Sequence, residues 1–354
     1  MIKALALLAL SVCCATAAAQ ASYAPVVAGQ PLSFPRDWGS HPQFRTEWWY
    51  VTGWITSAAG EQLGFQITFF RSKPDLSGDN PSAFAAKQIV IAHCALSDPK
   101  RGRLWQDQRI ARAGLGLAGA AEGDTHVWIG DWSLKHEGPY VARIAAEDFS
   151  LDLTLSETQP VLMNGENGFS RKGPGEQAAS YYYSLPHVQV TGTVSRRGSA
   201  TRVSGEAWFD HEWSSEYLDP QAAGWDWIGI NLEDGGALMA FQIRGLDGAP
   251  RWAGGTFRGS DGALQVLKPA DVDFHAGRRW TSPRTGIVYP VEWTVRAGAR
   301  QFTLMPLLDD QENDTRLSTG AIYWEGAVRV YDKRKPAGRG YLELTGYGER
   351  LRLR

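Results

Sequence analysis

The chain has 354 residues, with 36 basic against 38 acidic side chains and a formal charge of −2. That balance gives no electrostatic basis for nucleic acid as a partner, and the length suits two domains or one large β structure. The aromatic load stands out: 15 Trp, 12 Tyr and 13 Phe exceed what an ordinary core requires, and 39 Gly point to many turns and bulges.

The first residues read as a secretory signal peptide. Met1-Ile2-Lys3 gives a positive start, Ala4–Leu10 and Val12 an apolar run too short to span a bilayer, and Ala17-Ala18-Ala19 a cleavage site. Cleavage after Ala19 is expected, leaving Gln20 at or near the mature N-terminus of a periplasmic or secreted protein. Leu10-Ser11-Val12-Cys13 is a loose lipobox, but Val12 is a poor residue before the cleaved bond, so lipidation ranks second. Cys13 and Cys14 lie in the leader, leaving Cys94 without an intramolecular partner, so the exported chain must be stable through its core alone. No later apolar run has the length of a membrane span, and a soluble mature protein is expected.

Beyond the leader the dominant period is two. Strands are predicted over 47–56 and 62–70, joined by the turn Ser57-Ala58-Ala59-Gly60, then over 87–97, 125–135 and 140–146. Phe149, Leu151, Leu153 and Leu155 alternate with polar residues as a half-buried strand does, and Val188 and Val190 alternate likewise. Further strands are predicted over 202–213, 224–232, 237–244, 251–258, 287–296, 300–305, 321–331 and 340–347. Their separators are turn-like, among them Glu233-Asp234-Gly235-Gly236, Leu246-Asp247-Gly248 and Ala297-Gly298-Ala299. Leu76–Pro81 and Asn164–Ala179 read as loops, either lids or plain insertions. The basic run Asp332-Lys333-Arg334-Lys335-Pro336 is most simply a solvated loop. The pattern is all-β and antiparallel, a sandwich or barrel. Both halves open on a tryptophan-rich strand, Glu47–Trp54 and Gly224–Gly229, which suits two similar barrels in tandem.

Two segments set ionisable groups among indole rings: Thr46-Glu47-Trp48-Trp49-Tyr50 and Trp208-Phe209-Asp210-His211-Glu212-Trp213. A buried charge without a partner is costly, so such groups are paired, protonated or put to use. Alternation places Glu47, Trp49 and Val51 on one face, and Trp48, Tyr50 and Thr52 on the other. Phe209, His211 and Trp213 share a face opposite Trp208, Asp210 and Glu212, so not every acid can enter one pocket. In Gly224-Trp225-Asp226-Trp227, Asp226 lines up with Ile228 and Ile230, where its pKa should rise unless it is paired. His211 is the natural partner for a carboxylate. Each group also has a structural reading. Glu47 can bond backbone amides or an arginine such as Arg45, Asp210 can form an ion pair at a domain junction, and Asp226 can accept an indole N–H. His41 and His93 read more readily as structural histidines than as ligands.

Other chemistries lack their residues. No Gly-x-Ser-x-Gly elbow occurs, His211-Glu212 is not followed by a histidine at zincin spacing, and no glycine-rich phosphate loop follows a strand. His93 and Cys94 are adjacent, so on a strand they face opposite ways. No metal and no cofactor is expected.

His41, Glu47-Trp48-Trp49-Tyr50-Val51-Thr52-Gly53, Ala92-His93 with Asp98, Gly205 to Trp213, Gly224-Trp225-Asp226-Trp227 and Tyr323-Trp324-Glu325-Gly326 together resemble one family. It is that of the AttH-like predicted secreted hydrolases, related to carotenoid 1,2-hydratases and to lipocalin-like pericyclases of fungal pathways. The resemblance implies two tandem lipocalin-like antiparallel β-barrels, taken here as residues 28–214 and 215–354 after a leader at 1–19. It implies a pocket for a hydrophobic, isoprenoid or lipid-like molecule, and chemistry that protonates or folds a polyene rather than cutting a peptide. Some members are associated with ABC-type permeases. A hydratase would work acid-first, with Asp210, His211 and Asp226 as the acid–base group, Glu47 and Tyr323 behind them, and Trp48, Tyr50, Trp213, Trp225 and Trp227 lining the pocket, where indole faces shelter a cation. The rival is a non-catalytic periplasmic carrier that presents a lipid to a permease. Convergence of Asp210, His211, Asp226 and Glu47 on one aromatic cavity would favour the enzyme.

Overall fold

A computed structural model describes residues 23–75, 82 and 85–351. The expected leader and the loop Leu76–Pro81 lie outside the described residues. Inside them the regular structure is almost all strand, with short 3-10 turns at Arg36–Trp38 and Pro269–Asp271.

The first half contributes β1 (Thr46–Ser57), β2 (Gln62–Ser72), β3 (Ile89–Asp98), β4 (Arg103–Arg112), β5 (Ala118–Ala120), β6 (His126–Ile129), β7 (Trp132–His136), β8 (Tyr140–Ala145) and β9 (Phe149–Ser156). It continues with β10 (Leu162–Met163), β11 (Phe169–Arg171), β12 (Ala179–Arg196) and β13 (Ser199–Ser214). These form one antiparallel sheet in the order β4-β3-β2-β1-β13-β12-β9-β8-β7-β6-β5, with β10 and β11 on β12. The sheet curls until β3 and β4 approach β5 and β6, a nearly closed barrel.

The second half contributes β14 (Ala222–Leu232), β15 (Ala237–Gly245), β16 (Pro250–Arg258), β17 (Leu264–Leu267), β18 (Val272–Ala276), β19 (Arg279–Thr281) and β20 (Val288–Pro290). Then come β21 (Trp293–Ala297), β22 (Arg300–Pro306), β23 (Glu312–Thr315), β24 (Ala321–Asp332) and β25 (Lys335–Leu344). Their order is β17-β16-β15-β14-β25-β24-β22-β21-β18, with β23 on β24 and β19 paired to β20 alone. The architecture is two lipocalin-like barrels in tandem, the first sheet ending at Ser214 and the second beginning at Ala222.

Each barrel has its own apolar interior. Trp49, Phe65, Phe69, Leu153, Phe209 and Trp213 fill the first, and Ile228, Ile230, Val295, Phe302, Trp324 and Leu342 the second. A third apolar layer lies between them, built from Tyr50, Trp54, Tyr182, Trp208, Trp227, Met239, Phe241 and Tyr341. Strands in contact with that layer are buried on both faces, which is why β14 and β15 show so little polar alternation. Two glycines permit the close approach. A Cβ on Gly64 of the first barrel would come within 2.6 Å of Ala327 and 2.9 Å of the Tyr341 hydroxyl. One on Gly229 would meet the Trp227 ring at 2.5 Å and the Trp208 ring at 3.0 Å. Hydrogen bonds also cross this seam, from Trp54 Nε1 to the Gly340 carbonyl (3.1 Å) and from Asn231 Nδ2 to the Ala207 carbonyl (3.0 Å).

Several sequence expectations need correction. The strand expected over 125–135 is two strands, β6 and β7, turned at Gly130, whose φ of 61° suits glycine. That expected over 287–296 breaks into β20 and β21, which pair with different partners. The loop Asn164–Ala179 contains β11, and buries Asn164 and Lys172. Cys94 is free and buried.

Candidate functional site

Alternation along β1, β13, β14 and β24 sends the expected site residues to separate places, all of them buried or partly buried. Glu47, His211 and Trp213 point into the first barrel, while Asp226 lies on the inward face of the second. Trp48, Tyr50, Asp210, Trp225, Trp227 and Tyr323 belong to the seam between the barrels. The four groups Asp210, His211, Asp226 and Glu47 therefore do not converge on one cavity. His211 takes its carboxylate from β1, not from its neighbour Asp210, because adjacent strand residues face opposite ways.

Inside the first barrel, Glu47 Oε1 lies 2.7 Å from His41 Nδ1 and 2.9 Å from His211 Nε2. Its Oε2 accepts from Arg71 Nε (2.8 Å), Ser40 Oγ (3.0 Å) and the His41 amide (2.9 Å). Both a backbone amide and an arginine therefore hold Glu47, but the arginine is Arg71; Arg45, offered by the sequence as an example, pairs with Asp75. His41 Nε2 is 3.3 Å from Asp37 Oδ1, and His211 Nδ1 is 2.9 Å from the Tyr183 hydroxyl. The imidazole of His41 stacks on Trp213 at 3.8 Å, and that of His211 on Trp49 at 4.7 Å. Burial would raise the Glu47 carboxyl, but the Arg71 charge and the two imidazoles hold it well below the ordinary range. Burial pushes His211 down to about 4. Burial also works against protonated His41, yet hydrogen bonds to Asp37 and Glu47 leave it raised. A cavity of about 410 Å³ at this end of the barrel is lined by His41, Asp37, Phe44, Tyr181, Trp213 and the N-terminal segment around Val27. His41, Glu47 and His211 are the described residues whose ligating atoms gather closely enough to hold a metal, all within 4.8 Å of one another.

In the second barrel Asp226 is fully buried and saturated. It accepts from Gln242 Nε2 (2.7 Å), Arg244 Nε (3.0 Å) and the Tyr347 hydroxyl (2.9 Å). Burial raises its pKa against the Arg244 charge. No indole N–H goes to it: Trp225 Nε1 donates to Glu343 (2.9 Å) and Trp227 Nε1 to the Tyr182 hydroxyl (3.0 Å).

The seam holds the largest group of acids. Asp210 accepts from Tyr182 (2.6 Å), Ser184 (2.5 Å) and Trp208 Nε1 (2.6 Å), and burial pushes it up to about 7. Glu212 pairs with Lys172 Nζ at 2.8 Å and also accepts from Ser180. The Lys172 ammonium, 1% exposed at its side chain, rests 4.2 Å from the Phe241 ring centre and 4.8 Å from that of Tyr182. Glu325 and Glu343 stand directly opposite one another on β24 and β25. Burial, then the neighbouring charge of Glu343, drives Glu325 well above the ordinary value, and burial pushes Glu343 up to about 7. Tyr50 Oη and Glu325 Oε1 are buried without a hydrogen-bond partner. Tyr323 reaches His93 Nδ1 of the first barrel at 2.9 Å, and Ser318 Oγ lies 2.9 Å from the other ring nitrogen. Trp48, Tyr217 and Trp225 pack edge to face along the same layer. A second cavity of about 390 Å³ opens between the barrels, lined by Trp54, Trp208, Gly229, Asn231 and Tyr341.

Sequence reasoning overlooked Arg71, Lys172, Tyr182, Glu325 and Glu343. Glu325 was within reach, since it shares a strand face with Tyr323. Lys172 gives no signal, because a lysine preceded by Arg171 and followed by Gly173-Pro174 reads as solvated loop. Glu343 alternates with Leu342 and Leu344 and so reads as water-facing, whereas that face meets the other barrel.

Tandem lipocalin-like barrels with titratable groups enclosed among aromatic rings define the class. The chain belongs to the AttH-like family, whose model matches residues 25–347. It is similar to the crystal structure of an AttH from Nitrosomonas europaea, at 55% identity and a TM-score of 0.87, over 92% of this chain and 100% of that one. Kievitone hydratase from Nectria haematococca shares the fold at 17% identity and a TM-score of 0.68, over 93% and 97% of the two chains. CghA shares it more distantly, at 12% identity and a TM-score of 0.53, over 86% and 89%. Among curated proteins no sequence match was found. No helix of the described residues is long and apolar enough to cross a membrane.

Proposed function

We propose that the protein takes a hydrophobic, isoprenoid or lipid-like molecule into the seam and acts on it by acid–base chemistry of the hydratase, isomerase or hydrolase type. The facing pair Glu325 and Glu343 carries this reading. Two carboxyls at close range in an apolar layer cannot both ionise, so one keeps its proton at neutral pH. That is the state a general acid needs. The protonated carboxyl gives its proton to an alkene carbon, and the resulting cation rests against the rings of Trp225, Tyr50 and Tyr323. Water adds to the cation, and its spare proton returns to the carboxylate. Asp210, hydrogen-bonded to Tyr182 beneath Trp227, supplies a second acid in the same layer. Trp48 lines the route, whereas Glu47, His211, Trp213 and Asp226 lie inside the barrels. Fold likeness to a hydratase agrees with this class of chemistry. The signal-peptide reading of residues 1–19 puts the activity in the periplasm or outside the cell.

The test is mass spectrometry of the purified protein after incubation with a membrane lipid extract, alongside Glu325→Gln. A product heavier by one water, or an isomer of a bound lipid, made by the wild type and absent with the variant supports the enzyme. A wild type that returns every ligand unaltered overturns it. One observation favours the carrier as second reading: neither Glu325 nor Glu343 lines the two cavities described above. In that case the protein presents its lipid to an ABC-type permease, and unaltered ligand is the expected result.

A further inference from the structure

We propose that His41, Glu47 and His211 form a binding site for a divalent transition-metal ion within the first barrel. Two imidazoles and one carboxylate are a donor set that holds zinc in enzymes with an open fourth position. Here His41 Nδ1 and His211 Nε2 both face the same oxygen, Glu47 Oε1, at 2.7 and 2.9 Å. Seating an ion at bonds of about 2.1 Å asks these separations to open by roughly 0.5 Å.

The surroundings match what metal ligands require. A ligating histidine needs its other ring nitrogen engaged, which fixes the tautomer and aims the lone pair. His41 Nε2 has Asp37 and His211 Nδ1 has the Tyr183 oxygen, so each outward N–H keeps an acceptor when an ion displaces the inward protons that now go to Glu47 Oε1. Glu47 Oε2 is held by Arg71, Ser40 and the His41 amide, while Oε1, which takes only the longer 3.1 Å contact from that amide, is the oxygen that faces both imidazoles. Stacking on Trp213 and Trp49 holds both rings in plane. Glu47 and His211 are fully buried and His41 is 8% exposed on the wall of the 410 Å³ cavity, which provides the path of entry.

No sequence motif announces this site. Its ligands come from a loop, from β1 and from β13, and the ladder that sets Glu47 opposite Trp213 and Trp49 opposite His211 brings them together diagonally.

The test titrates the chelator-treated, purified chain with ZnCl2 by calorimetry and with CoCl2 by visible absorption. One ion per chain is expected, with the intense visible bands of a low-coordinate Co(II) centre. His41→Ala should abolish binding, and Tyr183→Phe, which keeps ring volume and fold, should weaken it about tenfold. His136→Ala, at the exposed pair with Asp124, should bind as the wild type does. Glu325→Gln should also bind normally, so failure here is separate from failure at the seam. Binding of less than one ion per chain, or equal binding by wild type, His41→Ala and Tyr183→Phe, would overturn the proposal.

Discussion

Arg71 and Glu47 face each other across β2 and β1, their side chains 2% and 0% exposed and joined by a 2.8 Å contact. Such a pair is worth little against a well-packed apolar substitute, but a broken one leaves a charge in the barrel with nowhere to go. Arg71→Met should therefore destabilise the fold by about 3–5 kcal/mol. The double variant Arg71→Met/Glu47→Gln should cost clearly less than the sum of its parts. Urea unfolding of the four members of this cycle measures both, and additive costs would refute the coupling.

The carboxyl pair in the seam should make stability fall as pH rises. Glu343 is pushed up to about 7 from 4.5, so between those values the unfolded chain ionises there while the folded chain stays neutral. The folded state binds more protons across that window, so unfolding free energy declines with pH through it and levels off above about 7. Glu343→Gln removes this slope, gaining about 1–2 kcal/mol on the wild type between pH 5 and pH 8 once its partial exposure is allowed for. Thermal melts of both proteins across that range test it. Parallel curves would exclude the pair as the source.

Lys172→Met should be tolerated better at pH 5 than at pH 8. The substitution keeps most of the apolar contact with Phe241 but strips buried Glu212 of its cation. At low pH Glu212 can protonate, whereas at high pH it stands as an uncompensated charge costing about 3 kcal/mol or more. Chemical unfolding at the two pH values reads the difference directly.

Gly229→Ala should loosen the junction between the barrels. Its Cβ would sit 2.5 Å from the Trp227 ring and 3.0 Å from that of Trp208, both held by hydrogen bonds of their own. Overpacking of this kind costs about 1–3 kcal/mol. A shifted tryptophan emission at unchanged far-ultraviolet dichroism would place the change in the seam.

The barrels were legible because strand period depends only on neighbours in sequence. Glu47 with Trp49, and His211 with Trp213, fell on their true faces by alternation alone. Pairing between distant strands was not legible. Arg71 joins Glu47 through the β1–β2 register, and Glu343 meets Glu325 through β24 and β25. Which face of a strand meets water cannot be read from alternation wherever the second barrel covers the first. The Asp210 side of β13 is internal only because Trp227 and Tyr182 close over it.

The layer between the barrels also bears on how this molecule could be inherited or divided. Cut near Tyr217, the N-terminal piece would bare Tyr50, Trp54 and Trp208, and the C-terminal piece Trp227, Met239 and Phe241. A contiguous apolar surface of that kind drives association. The halves are not interchangeable modules, and a gene split at that point should yield two sticky polypeptides whose solubility depends on finding each other.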